Sequence, residues 1–383
     1  MCILIKIGLR SLPKLMKKKK KLILFMPFIG GGGVEKNLFL ISNYLSSKID
    51  DLYVCSVSKK LKNKFNKKVK FITTKKEINK NFNIRLKYLI ALFILFKFLL
   101  KNRDTTVLSF QANIYCIILC KLFNIKIIIR SNSSPSGWYH NLFKKIIYKF
   151  VISFADCVIV NSRNFKIQMQ KKFGIKVKCI YNPLNKNEII IKSKYKINNN
   201  FFEKRGCLNI LNIGRLTAQK DQLTLLKSAK ILMRKKMKFK ILILGSGIEK
   251  NNLQNFINEN KLNNLTKIIE FKQNPYPYIK SCSIFVLSSL YEGLPNVLLE
   301  AATLKKFIIS TDCPTGPKEI LDNGKGGSLF KVGNQTDLAK KIIRYQKEKS
   351  INIKKINHNY QRLDRFDYNF NLDKYYRVIV KFI

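Results

Sequence analysis

The chain has 383 residues, 46% of them hydrophobic, with 74 Lys and Arg against 22 Asp and Glu, a formal charge of +52. That length exceeds a single core and predicts two domains, and the apolar content excludes a disordered polyelectrolyte. The charge implies attraction to phosphates, nucleic acid or anionic lipid, but abundant Lys, Asn and Ile also follow an AT-rich genome's bias, so the positions of the few acids say more than the total.

Nine scattered cysteines without a Cys-x-x-Cys pair indicate neither a disulfide framework nor a zinc site, and suit a reducing cytosol. Cys116 and Cys120 share a helix face and read as core thiols. Only two histidines, His140 and His358, leave little room for a histidine metal centre.

At the start, the apolar run from Met1 is followed by Lys17 to Lys21 and a second apolar run, Leu22 to Phe28. This is not the order of a secretory signal. Either Met1 or Met16 is the expected start, with the first fifteen residues otherwise a basic arm that touches a membrane.

Apolar runs of strand length then alternate with longer helical stretches to the end of the chain, which predicts parallel sheets with helices on both faces. In the first half the strands are expected near 22–26, 52–57, 69–72, 106–109, 126–130, 157–161 and 178–180. In the second they fall near 209–213, 240–244, 268–271, 284–287 and 307–310. The Lys- and Asn-rich stretch from Asn185 to Asn200 is the expected hinge. Two such domains line a cleft with the carboxyl ends of their strands, so the loops after strands hold the candidate site.

The first of these loops, Gly30-Gly31-Gly32-Gly33, precedes a helix expected from Asn37 to Leu45. Bare glycines admit a phosphate to backbone amides; the bland alternative is a flexible turn. The loop is neither Gly-x-Gly-x-x-Gly nor a nucleoside-triphosphate loop, which weighs against dinucleotide and ATPase readings. Further on, the apolar stretch 88–100, flanked by Arg85, Lys87, Lys101 and Arg103, is too short to span a bilayer. It is expected to be a core helix, with an interfacial helix lying on lipid as the functional reading, one face for each.

In the second half, Gly214-Arg215-Leu216 and Lys220 follow a strand. Arg offers a planar fork and Lys a compact charge, a pair suited to a diphosphate held without metal, although such a pair is usually solvated surface. Gly245-Ser246-Gly247 is expected to admit a base or ribose, and the loop with Asn274 and Tyr278 to offer amides and rings to a nucleobase edge; both are otherwise ordinary turns. The strand 284–287 then leads into Glu292-Gly293-Leu294-Pro295-Asn296 and a helix carrying Glu300. Amides at that helix start suit a phosphate, Pro295 suits its first position, and the two acids suit sugar hydroxyls. No Asp-x-Asp metal motif follows a strand, so no metal and no cofactor are expected.

In this order the motifs resemble the retaining nucleotide-sugar glycosyltransferases of family 4, from about residue 17 to the C-terminus. The most specific parts are Gly214-Arg215-Leu216 with Lys220, the Glu292 and Glu300 pair with Gly293 and Pro295, and the stretch Ser310 to Pro317. The last, with Asn274-Pro275-Tyr276-Pro277-Tyr278, is similar to the bacterial subgroup that assembles polysaccharides and lipid-linked oligosaccharides.

The resemblance implies an α/β GT-B fold, two Rossmann-like domains facing across a cleft. It implies an acceptor-side domain over 17–184, a linker over 185–205, a nucleotide-sugar domain over 206–359 and a helix over 360–383 crossing back to the first domain. Arg215 and Lys220 would hold the donor diphosphate with the amides of Gly293, Leu294, Pro295 and Asn296. Glu300 would take the ribose, Glu292 the transferred sugar, and Gly31, Gly32 and Gly33 would cover the phosphates. Many members carry a histidine after the fifth strand; here Arg130-Ser131-Asn132-Ser133-Ser134-Pro135 stands there, and His140 lies further on.

The expectation is therefore a metal-independent hexosyltransferase moving hexose or N-acetylhexosamine from a UDP-sugar to a lipid-linked or surface-glycan acceptor. It would be cytoplasmic and peripheral at the inner face of the membrane, held to anionic lipid. The alternatives are a nucleic-acid or other polyanion binder, disfavoured by acids at cleft positions and by the lack of a recognised motif, and a phosphorylase or synthase on the same fold.

Overall fold

The structure, a computed structural model, describes residues 21–30, 32–58, 61–74, 83–132, 142–197, 201–202 and 206–383. The basic stretch before Lys21, Gly31, the 133–141 segment with His140, and the end of the Asn-rich stretch lie outside the described residues.

The first sheet contains β1 (Lys21–Phe25), β2 (Leu52–Cys55), β3 (Lys70–Ile72), β4 (Thr105–Ser109), β5 (Lys126–Ser131), β6 (Cys157–Val160) and β7 (Val177–Cys179). All are parallel, in the order β3-β2-β1-β4-β5-β6-β7. Its helices are α1 (Gly33–Leu45), α2 (Ile84–Lys101), α3 (Asn113–Leu122), α4 (Leu142–Ser153) and α5 (Arg163–Phe173). Alternate residues of β1 face opposite ways, as strand period dictates. Leu22 and Leu24 enter one core with Leu38 of α1, whereas Ile23 and Phe25 enter another with Leu95 and Leu99 of α2. Those two leucines are fully buried, and each contributes about 1.5–3 kcal/mol of burial.

The helix α6 (Lys186–Lys192) occupies the predicted hinge and packs on the second domain. That domain's sheet contains β8 (Leu208–Ile213), β9 (Phe239–Leu244), β10 (Thr266–Ile269), β11 (Ile284–Leu287), β12 (Phe307–Thr311) and β13 (Ser328–Phe330). Again all are parallel, in the order β10-β9-β8-β11-β12-β13. Around it lie α7 (Gln222–Arg234), α8 (Lys250–Glu259), α9 (Tyr276–Ser281), α10 (Asn296–Thr303), α11 (Gly316–Ile320), α12 (Gln335–Lys347) and α13 (Lys349–Gln361). Then α14 (Tyr368–Ile379) returns to the first domain, where Leu372, Tyr375 and Ile379 join its core. The two crossing segments meet where the Leu184 N–H donates to Phe366 O at 2.8 Å.

Twelve expected strands coincide with observed ones to within about two residues at most ends. β13 was not expected, because three residues behind Gly326-Gly327 make too short a signal. Two helices start elsewhere than expected. α1 begins at Gly33, inside the glycine loop, and Pro295 is the N-cap of α10 rather than its first residue. The 273–279 segment, read as a loop, carries α9, since Pro277 in a first turn sacrifices no intrahelical bond.

Both sheets reverse direction of growth at one point, β1/β4 in the first and β8/β11 in the second. Such switch points open crevices at the carboxyl ends of strands. The glycine loop follows β1, the Arg215 loop follows β8 and the Glu292 loop follows β11, so three of the four switch strands deliver predicted residues to one cleft.

Candidate active site

The Arg215 and Glu292 loops are stitched into one wall. Leu290 N–H donates to Gln219 O at 2.8 Å, Gln219 Nε2 to Tyr291 O at 2.9 Å, and Ser288 Oγ to Lys220 O at 3.0 Å. On that wall Lys220 Nζ lies 2.5 Å from Glu292 Oε1, and Ser289 Oγ donates to the same oxygen at 2.7 Å. Glu292 is only 6% exposed, so the pair is a desolvated, charge-assisted contact. Arg215 is exposed, with one long contact to Gln219, and its guanidinium is available to an anion.

Glu300 sits just over one turn into α10, also buried, and its partner comes from the other domain. Lys36 of α1 reaches across the cleft to Glu300 Oε1 at 2.6 Å and donates to the Tyr276 hydroxyl at 2.8 Å. Burial alone would lower the Lys36 pKa, but Glu300 and Tyr276 outweigh it and hold it raised. Burial, with the Glu300 charge second, pushes the Tyr276 hydroxyl up to about 12.

Between the two acids, the N–H groups of Gly293, Leu294 and Asn296 have no acceptor among the described residues. These amides and the positive end of α10 suit an anion. Gly293 also packs directly against the first domain: a Cβ there would lie 2.1 Å from Asn132 O, just beyond β5. Other bonds hold the cleft closed. Asn296 Nδ2 donates to Gly33 O at 3.1 Å, and the Glu319 carboxylate of α11 accepts from Arg163 N–H at 3.0 Å and Asn164 N–H at 3.2 Å.

Arg215, Lys220, Glu292, Gly293, Asn296, Glu300 and the Gly32–Gly33 loop thus converge. Gly31 lies outside the described residues. Gly214, Gly245, Ser246 and Gly247 have a different local use. A Cβ on Gly245 would meet Gly214 O at 1.9 Å and one on Gly247 would meet Leu216 O at 2.2 Å, so neither position has room for a side chain. Ser246 Oγ donates to Glu270. Asn274 turns to Lys192 O at 2.9 Å, while Tyr278 and Leu294 are buried in the second domain's core. Tyr276, rather than Tyr278, faces the acids through Lys36. Neither Lys36 nor Tyr276 was among the expected site residues, although Lys36 lies three residues beyond the glycine loop and Tyr276 inside the 274–278 stretch. Among the described residues no group of three or more His, Cys, Asp or Glu gathers where it would hold a metal ion.

Two parallel-sheet domains sharing a cleft at their switch points have the GT-B glycosyltransferase fold. The crystal structure of Anabaena Alr3699/HepE in complex with UDP and glucose superposes with a TM-score of 0.78 at 17% identity, covering 94% of this chain and 100% of that one. Residues 194–362, a span that takes in the second domain, match the family described as Glycosyl transferases group 1. Over 220 residues the chain is 37% identical to the Uncharacterized glycosyltransferase MJ1059 of Methanocaldococcus jannaschii, covering 54% of this chain and 53% of that protein. Over 342 residues it is 26% identical to the Campylobacter jejuni N-acetylgalactosamine-N,N'-diacetylbacillosaminyl-diphospho-undecaprenol 4-alpha-N-acetylgalactosaminyltransferase, covering 83% and 88% respectively. These comparisons support a glycosyltransferase of the group 1, GT-B type, with relatives in lipid-linked glycan and polysaccharide biosynthesis.

Proposed function

We propose that the protein is a retaining glycosyltransferase that moves a hexose or N-acetylhexosamine from a UDP-sugar to a lipid-linked or surface-glycan acceptor, without a metal ion. The observation that carries this reading is the pair of acids bracketing the α10 N-terminus, each held by a lysine: Glu292 by Lys220 and Glu300 by Lys36. One side chain of each pair suits a hydroxyl and the other a phosphate, with unpartnered amides between them, which is the chemistry of a nucleoside diphosphate bearing a sugar.

In this reading Arg215, Lys220 and the α10 amides hold the diphosphate, Glu300 accepts from the ribose hydroxyls and Glu292 lies against the transferred sugar. The acceptor oxygen forms its bond to the anomeric carbon as the bond to the β-phosphate oxygen breaks, and that oxygen takes the acceptor's proton. Preorganised cations stabilise the charge that develops on the diphosphate, so no protein base is required.

An apolar face on the first domain supports peripheral binding to anionic lipid at the inner face of the membrane. Leu89 and Phe93 of α2 and Tyr115, Ile118 and Leu122 of α3 are exposed beside an apolar groove of about 360 Å³, with Lys97 and Lys101 on the same helix. Ala91, Leu95 and Leu99, on the opposite face of α2, are buried in the core. No helix among the described residues is long and apolar enough to cross a membrane. Apolar side chains ringed by cations suit an anionic interface.

The anomer first released when an α-linked UDP-sugar is slowly hydrolysed, followed by NMR in excess EDTA, tests the reaction. The α anomer and an unchanged rate are expected; the β anomer contradicts retention, and loss of activity in EDTA contradicts metal independence.

A further inference from the structure

β5 itself, just before the loop in which many members of the resembled family carry a histidine, holds an arginine that the proposed reaction has not used. Arg130 is fully buried near the end of β5. Its Nε donates to the Tyr375 hydroxyl of α14 at 2.8 Å, and its Nη2 to Asn182 Oδ1 at 2.6 Å, while Nη1 is buried without a partner among the described residues. The guanidinium lies 5.6 Å from the Phe110 ring, and among the described residues no carboxylate pairs with it. Arginine stays protonated in proteins, so this is a buried cation without a counter-ion among the described residues, an unfavourable arrangement unless something else compensates it.

From Arg130 the hydrogen bonds run in one direction. Asn182, itself buried in the segment joining the domains, donates through Nδ2 to Leu294 O at 3.0 Å and to Asn296 Oδ1 at 2.6 Å. Asn296 in turn donates to Gly33 O at 3.1 Å. The line therefore begins at a buried positive charge and ends on the two backbone segments that flank the proposed diphosphate, the α10 N-terminus and the glycine loop. Each donor is polarised by the one before it, which strengthens the series and carries the cation's influence outward.

We infer that Arg130 is a positioning residue for the diphosphate of the donor: through Asn182 and Asn296 it fixes the α10 amides against the glycine loop, and the ligand's phosphates supply the missing negative charge. This rests on the UDP-sugar reading above. It assigns Arg130 no contact with substrate. Its effect must fall on the phosphates and leave the nucleoside alone, which separates positioning from general support of the fold.

Dissociation constants for UDP and for uridine, measured by ligand-observed NMR on the full chain, test it. Arg130→Met and Asn182→Ala are expected to weaken UDP by about tenfold or more and to change uridine by less than about twofold, with Arg130→Lys between them and the native chain. If Arg130→Met does not fold, Asn182→Ala and Tyr375→Phe carry the test. Unchanged UDP affinity in folded variants, or parallel loss of UDP and uridine, overturns the inference. A native chain that binds neither ligand overturns the UDP reading and this inference with it.

Discussion

The Lys36 ammonium joins Glu300 at 2.6 Å across the cleft, so a residue near the start of the chain closes on an acid 264 positions later. Because its pKa is raised, the pair's contribution is fully present below lysine's ordinary value and is lost only as the pH rises through the raised one. Lys36→Met is expected to open the cleft, seen as a larger radius of gyration in solution scattering, and to destabilise the chain by about 1–3 kcal/mol. The native chain should show no change of radius between pH 7 and 9. A pH-dependent radius in that window, or an unaltered one in the variant, counts against the role given to Lys36.

Arg215 and Lys220 serve the same proposed diphosphate but differ in what their loss does to the fold. Either change to Ala should lower kcat/KM by about a hundredfold or more. Lys220→Ala also leaves Glu292, 6% exposed, with Ser289 as its remaining side-chain partner, so it should destabilise by about 1–3 kcal/mol. Arg215→Ala should leave the unfolding midpoint within about 0.5 kcal/mol of the native one, because the side chain is exposed. Denaturant melts beside steady-state kinetics separate the two.

Gly293→Ala adds a methyl where Asn132 O would be 2.1 Å away and Asn161 Oδ1 3.1 Å away. Backbone oxygen cannot rotate aside. The domains must part or the loop must shift, at about 1–3 kcal/mol, and transfer should fall by at least about tenfold while UDP binding to the second domain falls less. Equal kcat/KM in variant and native chain would refute the closed cleft as the working arrangement.

Much of this was legible in the sequence, and the limits have physical causes. Apolar runs between helical stretches marked twelve strands because parallel sheets bury both faces, whereas β13 is three residues long. The acids Glu292 and Glu300 stood out because the chain has only 22 carboxylates. Lys36 did not, being one of 74 cations whose contact exists only when two domains close. Tyr276 and Tyr278 are two apart on a short helix, and the helix start decides which faces the cleft. Gly245 and Gly247 have the backbone of residues 214–216 packed where a side chain would stand, a contact between loops far apart in sequence that spacing alone does not reveal.

The exposed face of α2 and α3 bears on the proposed lipid surface. Phe93 and Ile118 are 54% and 46% exposed, so Phe93→Glu with Ile118→Glu should leave stability nearly unchanged. Partitioning onto phosphatidylglycerol vesicles in a flotation assay should drop by about tenfold. Equal flotation of both chains would remove this face from the account.

The proposed function requires that the cleft cleave a UDP-sugar. Its most direct measurement is nucleotide release from UDP-N-acetylgalactosamine, UDP-N-acetylglucosamine, UDP-galactose, UDP-glucose and GDP-mannose side by side, for the native chain and for the Glu300→Ala and Lys220→Ala variants. UDP release is expected from at least one UDP-sugar and none from GDP-mannose, with a loss of about a hundredfold or more in both variants. Release from none of the UDP-sugars, or release undiminished in both variants, would contradict it.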